Sequence, residues 1–279
     1  MVSRATSQPG RIENAATTPH INLMTELTKT PHLDAETRDQ IAALALRQRR
    51  ANGVLMKAVN MVGGQVEDTL KKLPQGARDQ IDAAARKALL ASYDAASRSR
   101  SNYGGSDAVH KAMSAVSGAL GGLGGLPTAL VELPVATTVI FRAVQTVAEH
   151  HGEDPLSAET RAQCLAVFGS GGPGTDDDGI DTSFFGSRLA LTGAAVQGLI
   201  GKVAPRFATV LSQKLASQAV PILGAAAGAG TNYAFTEYYV SMAHVHFGLR
   251  ALARDHDEAR VLEEFHRVLA ARDVPVKRA

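Results

Sequence analysis

Residues 112–141 read AMSAVSGALGGLGGLPTALVELPVATTVIF and decide the fold class. They contain one charged residue, Glu132, and five glycines between positions 118 and 125. A second stretch, 215–236, has no charged residue and includes the run GAAAGAG at positions 224–230. Small residues four positions apart let two helix backbones approach closely. Both stretches therefore indicate helices that pack tightly against one another or against a bilayer surface. Gly, Pro, Ser and Thr dilute them too much to predict membrane-spanning helices.

Amphipathic helices are predicted on both sides of these low-charge stretches. Helical spacing of apolar residues begins at Asp39, and a further helix is predicted over 54–70. Apolar residues also recur on one helical face over 78–98 and 249–272. No segment alternates apolar and polar residues as a strand does. The sequence predicts an all-α domain, with Gly/Ala-rich close-packed central helices and amphipathic outer helices from 39–98 and 249–272.

The chain is expected to divide into three parts. Residues 1–38 mix Ser, Thr, Asn and Pro without an apolar run, so we expect a disordered arm rather than a secretory signal. Residues 39–272 form the single helical domain, and 273–279 form a short tail. This organisation favours a cytoplasmic protein, or one that is peripheral at the inner membrane.

Composition excludes several functional classes. The net charge is +2 and there is no Trp, which argues against nucleic acid as a partner. One cysteine, Cys164 in an apolar run, excludes a disulfide framework and is interpreted as a core residue. The run GSGGPG at 169–174 matches a dinucleotide motif by letter only, since no strand precedes it. No cofactor is therefore predicted.

No metal site is predicted either. Residues 150–154, HHGED, resemble ligands by composition, but adjacent histidines on a helix point about 100° apart. We interpret them as a solvated helix end, and Glu263 and His266 as part of a surface helix. The acidic run 176–181 does not fit the EF-hand frame and is interpreted as a solvated loop.

Glu132 is the most informative single residue, because an unpaired buried carboxylate is unfavourable. Arg142 and Arg188 are its candidate partners. One interpretation is a ligand-binding or proton-handling acid. The alternative is a structural ion pair, or a helix-capping acid just before Pro134.

Five polar residues after Gly230 share one helical face: Asn232, Thr236, Tyr239, His246 and Arg250. Glu237 and His244 share the neighbouring face. Such residues can line a cavity and act as acids and bases, or they can form a satisfied network between helices. The first possibility keeps open a hydrolase with its acid and base at Glu132 or at Glu237 and His244.

A cluster of basic residues suits an anionic membrane surface: Arg47, Arg49, Arg50 and Lys57. An ordinary solvated helix face has the same composition, and both interpretations remain open.

Seven segments occur in an order that resembles the EcsC family of bacterial proteins. They are KLP (72–74), GGLGGLPTALVELPVATTVIFR (121–142), HGED (151–154), CLAVFGSG (164–171), FFGSR (184–188), AVPILGAAAGAGTNYAF (219–235) and HFGLR (246–250). The resemblance runs from about residue 44 to 271. Where the family leads us to expect a tyrosine ahead of Arg188, this chain has Phe184 and Phe185, so no role is assigned to a phenol there.

The resemblance implies a function but no catalytic residue. The family is named for a protein encoded beside the subunits of an ABC transporter, and it has no agreed catalytic set. The expected function is a non-enzymatic, membrane-associated accessory protein linked to transport or secretion, or a binder of lipid. Its partners would be a membrane surface, a lipid or transporter components. The candidate ligand-binding residues are Glu132, Arg142, Arg188, Asn232, Tyr239 and His246.

Overall fold

The computed structural model of the protein describes residues 33–63, 74–98, 125–169, 193–218 and 224–271. These ranges contain seven α-helices and no strand. The helices are α1 (Ala35–Gly63), α2 (Gln75–Arg98), α3 (Gly125–His150), α4 (Ala158–Phe168), α5 (Gly193–Gln218), α6 (Gly224–Asp255) and α7 (Glu258–Ala270). The all-α prediction is confirmed for the described part of the chain.

The helix ends differ from the predicted ones at α1. The helix begins at Ala35, ahead of Asp39, because the Asp34 carboxylate accepts a hydrogen bond from the Thr37 amide at 2.7 Å and caps it. It then continues without a break to Gly63, so the predicted separation between two helices near residue 51 is wrong. Ser157 and Asp257 cap α4 and α7 in the same way as Asp34 caps α1.

Helix α6 lies at the centre, and α1 and α5 run antiparallel to it. The Thr37 hydroxyl lies 3.1 Å from Nε2 of His256, and Leu44 lies against Gly248, so α1 pairs with α6 in the reverse order. Five residues, 219–223, join the end of α5 to the start of α6. The ring centroids of Phe207 on α5 and Tyr239 on α6 are 6.2 Å apart, well before the end of α5 and well after the start of α6, so α6 runs back along α5 and the two helices are antiparallel.

Helix α3 runs parallel to α6. Phe141 and Tyr239 both stack on Phe168, with ring centroids 6.0 and 4.8 Å from it. Further along both helices, the ring centroid of His150 lies 6.1 Å from that of His244. The contacts follow the same order along the two helices, which defines their direction.

Helix α2 runs parallel to α3. The Ser92 and Thr138 hydroxyls are 3.3 Å apart, and Arg142 donates a hydrogen bond to the Ala95 carbonyl at 2.7 Å. The first turns of α2, α3 and α6 therefore lie at the same end of the bundle as the last turns of α1 and α5.

Two apolar clusters form the core. The larger one contains residues from each of the first six helices, and it includes the aromatic rings of α3, α4, α5 and α6. The smaller one joins α1, α6 and α7 through Ile41, Val245, Leu249, Val261 and Phe265. Cys164 is buried in the larger cluster, which confirms its interpretation as a core residue.

Two helices approach closely at Gly248, which lies outside the low-charge stretches. A Cβ added at Gly248 would lie 2.9 Å from a methyl carbon of Leu44, so α1 and α6 touch there. At Gly198, Gly201 and Gly230, a Cβ would meet no atom within 4 Å. These three positions therefore have room for a side chain, unlike Gly248. Residues 112–124 of the first low-charge stretch lie outside the described part.

Both prolines inside helices leave the helix intact. Pro134 lies inside α3 and Pro205 inside α5. Within the described ranges, no helix combines the length and apolar character needed to cross a membrane.

Candidate functional site

The polar face of α6 predicted from residue spacing points into the core. Asn232, Thr236, Tyr239 and His246 are all buried. The Thr236 hydroxyl donates back to the Asn232 carbonyl within the helix at 2.8 Å. These four side chains share one face of α6, as their spacing predicts, and helix packing determines what each of them contacts.

His246 contacts a residue that the sequence did not indicate. Its Nε2 lies 2.9 Å from Oε1 of Gln163 on α4, and since that oxygen can only accept, the imidazole donates. Burial, assisted by the charge of Arg250, lowers the pKa of His246 to about 3, so the ring is neutral at physiological pH. The one sequence signal for Gln163 is that it is a polar residue beside the apolar run of α4.

Tyr239 is buried, and its hydroxyl has no hydrogen-bond partner among the described residues. Its ring packs on Phe168 and Phe207, with centroids 4.8 and 6.2 Å away. Burial raises the pKa of the Tyr239 phenol well above its ordinary value, so the group does not ionise near neutral pH. The geometry supports an aromatic core position rather than an acid–base role.

We expect Tyr239→Phe to raise the free energy of unfolding by about 1 kcal/mol, because it removes a buried hydroxyl that gains no hydrogen bond. Urea unfolding measures this change. Tyr233→Phe is the matched control, because Tyr233 is 47% exposed on the same helix and its hydroxyl should contribute nothing. A loss of stability in Tyr239→Phe would reveal a partner for the phenol and contradict this assignment.

An ion cluster joins the segment after α3 to α6; we define it as Glu153, Glu159, Arg250 and Arg254. Nε of Arg250 lies 2.8 Å from Oε1 of Glu153, and its Nη2 lies 3.3 Å from Oε1 of Glu159. Nη1 of Arg254 lies 3.6 Å from Glu153 Oε1. The Glu153 side chain is 9% exposed, so the predicted solvated helix end is wrong at this residue. Through its contact with Arg250, Glu153 anchors the segment after α3 to α6; we call this pair the interhelical anchor.

A histidine cluster adjoins the ion cluster; we define it as His150, His151 and His244. Nε2 of His151 and Nδ1 of His244 are 3.2 Å apart and share a hydrogen bond. The ring centroid of His150 lies 5.5 Å from that of His151 and 6.1 Å from that of His244. In the described ranges, no group of three His, Cys, Asp or Glu residues has a geometry suited to a metal ion.

The predicted pairing of Glu132 with Arg142 is not supported by the backbone. Both residues lie on α3, ten positions apart, which is about 15 Å of helix. Arg142 instead donates to the Ala95 carbonyl and to Oε1 of Gln145, at 2.7 and 3.2 Å. Pro134 lies inside α3, so Glu132 is not in the first turn and the helix-capping interpretation is wrong. The Glu132 side chain and Arg188 lie outside what the structure describes, as does the acidic run 176–181.

The alternative acid–base pair is spread along α6. Glu237 and His244 are seven positions apart, which corresponds to about 10 Å of helix rise. Ser241 lies 3.5 Å from the Glu237 carboxylate, whereas His244 contacts His151. This arrangement does not favour a shared reacting point within about 3 Å of both groups.

The basic residues of α1 have different environments. Arg49 donates to the carbonyls of Val268, Leu269 and Ala271 at 2.5, 2.8 and 3.2 Å, which caps the last turn of α7. Arg50 is exposed and Arg47 is half-buried. Arg49 therefore has a structural role, while the Lys57 side chain lies outside the described part.

Comparison with known proteins defines the family. The model of the EcsC protein family matches residues 21–178, more than half of the chain. The chain belongs to the EcsC protein family. No curated protein and no solved structure matches it. The EcsC match includes α1 to α4 and the HGED segment, whereas the FFGSR, AVPIL and HFGLR segments lie beyond it. In this EcsC protein, the contacts of Glu153 with Arg250 and of Gln163 with His246 join the matched part to α6.

Proposed function

We propose that this EcsC protein is a non-enzymatic accessory protein that docks peripherally on a membrane, in the service of a transport or secretion system. The docking surface would be one end of the bundle, which we call the low-charge end. It is formed by four helical segments: 52–63 of α1, 125–135 of α3, 207–218 of α5 and 224–236 of α6. The first two turns of α2 also lie at this end, but they carry Arg78, Asp79 and Asp82 and are not part of the proposed surface.

The helix directions support this proposal, because they bring the four segments to one end of the bundle. The segments are far apart in the chain, but the parallel pairing of α3 with α6 and the antiparallel pairing of α1 and α5 with α6 make them neighbours. Together they contain three charged residues, namely Lys57, Glu132 and Lys214. The opposite end, in contrast, holds the ion cluster and the histidine cluster.

Two exposed apolar side chains carry the proposal. Val135 is 58% exposed and Tyr233 is 47% exposed, and both lie within segments of the low-charge end. An exposed apolar side chain and an exposed Tyr, in segments poor in charge, suit the interface between lipid headgroups and acyl chains. Leu46 is also exposed, at 45%, but it lies near Leu44 and Gly248, toward the other end of the bundle.

Vesicle co-sedimentation tests the proposal. We expect the full chain to bind phosphatidylcholine vesicles, and to bind more strongly when they include phosphatidylglycerol. Val135→Asp or Tyr233→Asp should weaken binding about tenfold, because each removes apolar area that would be buried in the interface. Both sites are exposed, so the variants should fold, and urea unfolding verifies this.

Leu46→Asp is the matched control, since it places the same charge at an equally exposed apolar position away from the low-charge end. It should leave vesicle binding unchanged. If the full chain binds neither vesicle, or if all three variants weaken binding equally, peripheral docking through this end is wrong.

A further inference from the structure

We infer that the hydrogen bond between His151 and His244 is an acid-sensitive latch, which holds the segment after α3 against α6 at neutral pH and releases it in mild acid. The latch joins two elements that are distant in sequence, because the two rings are 93 positions apart in the chain. The Arg250–Glu153 ion pair and the hydrogen bond from Arg254 to the His151 carbonyl join the same two elements. The latch lies beside the contact of Leu44 with Gly248, where α1 packs on α6.

The bond itself requires that at least one of the two rings be neutral. His151 Nε2 and His244 Nδ1 face each other at 3.2 Å, so one ring supplies the N–H and the other must offer a bare nitrogen. When both rings are protonated, each nitrogen carries a hydrogen and the contact becomes a repulsion between two cations. Histidine changes charge in the range between about pH 5 and pH 8, so mild acid can drive this change.

The surrounding charges make a second proton still less favourable. Arg47 of α1, His150 of α3 and Arg254 of α6 all face His151, and each lowers its pKa, together with the larger effect of burial. The one carboxylate that raises its pKa is Glu153. Glu153 already contacts Arg250 and Arg254, so it offers limited compensation for a new cation.

The segment that the latch holds has its own hydrogen bonds, and these provide a local measurement. The Gly152 amide donates to the Glu149 carbonyl at 2.9 Å, and the Glu153 amide donates to the Ala148 carbonyl at 3.0 Å. Arg254 also donates to the His151 carbonyl at 2.6 Å. Release of the latch should expose the two amides to exchange while the core stays folded.

Amide hydrogen exchange, followed by NMR on the full chain, tests the inference. Between pH 7 and pH 5 we expect protection of the Gly152 and Glu153 amides to fall about tenfold after correction for the intrinsic exchange rate. Protection of the Val240 amide in the buried part of α6 should stay higher than theirs at both pH values, because this amide opens only when the whole domain unfolds. Equal protection of all three amides at pH 5 would mean that they exchange only through unfolding of the whole domain, and the latch would be rejected.

The decisive variant is His151→Gln combined with His244→Asn. The Gln amide occupies the place of Nε2 and the Asn amide that of Nδ1, so the pair can keep a hydrogen bond but cannot take up a proton. Protection at Gly152 and Glu153 should then change by less than about twofold between the two pH values. His266→Asn, at an exposed histidine of α7, is the control and should behave as the wild type.

A titration of the wild-type ring signals keeps the inference testable even if the double variant does not fold. The signals of His151 and His244 should titrate in two coupled steps, as expected for two groups that share one proton-dependent contact. Independent titration of the two rings, or a double variant that keeps the wild-type pH dependence, would overturn the latch.

Discussion

Arg250→Met should lower the free energy of unfolding by about 3 kcal/mol at pH 7, because it leaves the Glu153 carboxylate without its main partner. The two side chains are 16% and 9% exposed, so water replaces little of the lost interaction. The Glu153 carboxylate keeps the Thr160 hydroxyl at 3.2 Å and Arg254 at 3.6 Å, which limits the loss. Urea unfolding of the full chain measures the change.

A double-mutant cycle separates the cost of an unpaired charge from the value of the pair itself. Glu153→Gln combined with Arg250→Met removes both charges, and we expect it to recover most of the stability lost in Arg250→Met. The matched control is Arg267→Met, because the Arg267 side chain is 65% exposed and pairs with Glu264 at 2.6 Å within the same helix, where a change below about 1 kcal/mol is expected. If Arg250→Met and Arg267→Met cost the same, Glu153 is not held in the interior and the interhelical anchor is wrong.

The contrast between these two ion pairs explains how far the sequence could predict the site. Helical spacing placed Tyr239, His246 and Arg250 on one face of α6, since a repeat of 3.6 residues is a local property of the chain. Helical spacing could not identify Gln163 as the partner of His246, 83 positions away, or Glu153 as the partner of Arg250, 97 positions away. Contacts over such separations depend on how the helices pack, and the sequence pattern holds no information on that packing.

The same reason explains the misinterpreted HGED segment. Its residues are polar, and a polar segment after a helix is most often solvated. Arg250 approaches from α6 and takes Glu153 out of water. Arg49 of α1 is a similar case. It is a basic residue on an exposed face, and it caps α7 because the fold brings the Leu269 carbonyl within 2.8 Å of its guanidinium. The all-α class, by contrast, follows from composition and period alone and was predicted correctly.

His246 should make the protein strongly sensitive to acid. Its pKa is about 3 in the folded protein, chiefly because of burial, and 6.5 is the ordinary value expected in the unfolded chain. The unfolded chain therefore takes up a proton below about pH 6.5 that the folded protein refuses, and stability falls as the pH decreases towards 3. Between pH 7 and pH 4 the expected loss from this residue is about 3 kcal/mol.

Comparison of His246→Gln with the wild type isolates this contribution, because the carboxylates that also titrate in acid are common to both proteins. Glutamine at this position can still donate to Oε1 of Gln163 but cannot bind a proton. At pH 7.5 the free energy of unfolding of the variant should be lower by about 1 kcal/mol, because glutamine does not reproduce the geometry of the imidazole hydrogen bond fully. Its free energy of unfolding should then fall less steeply in acid, with a smaller slope against pH, because the unfolded variant takes up about one proton fewer than the unfolded wild type.

The control is His266→Gln on the exposed face of α7, which should keep the slope of the wild type. The slope distinguishes a buried neutral imidazole from one that gains a proton by local opening of α4. In the second case the folded protein would bind the proton at little cost, and His246→Gln would have the same acid dependence as the wild type. A reduced slope in His246→Gln alone therefore identifies the His246–Gln163 contact as the part of the core that must remain neutral for α4 to stay packed on α6.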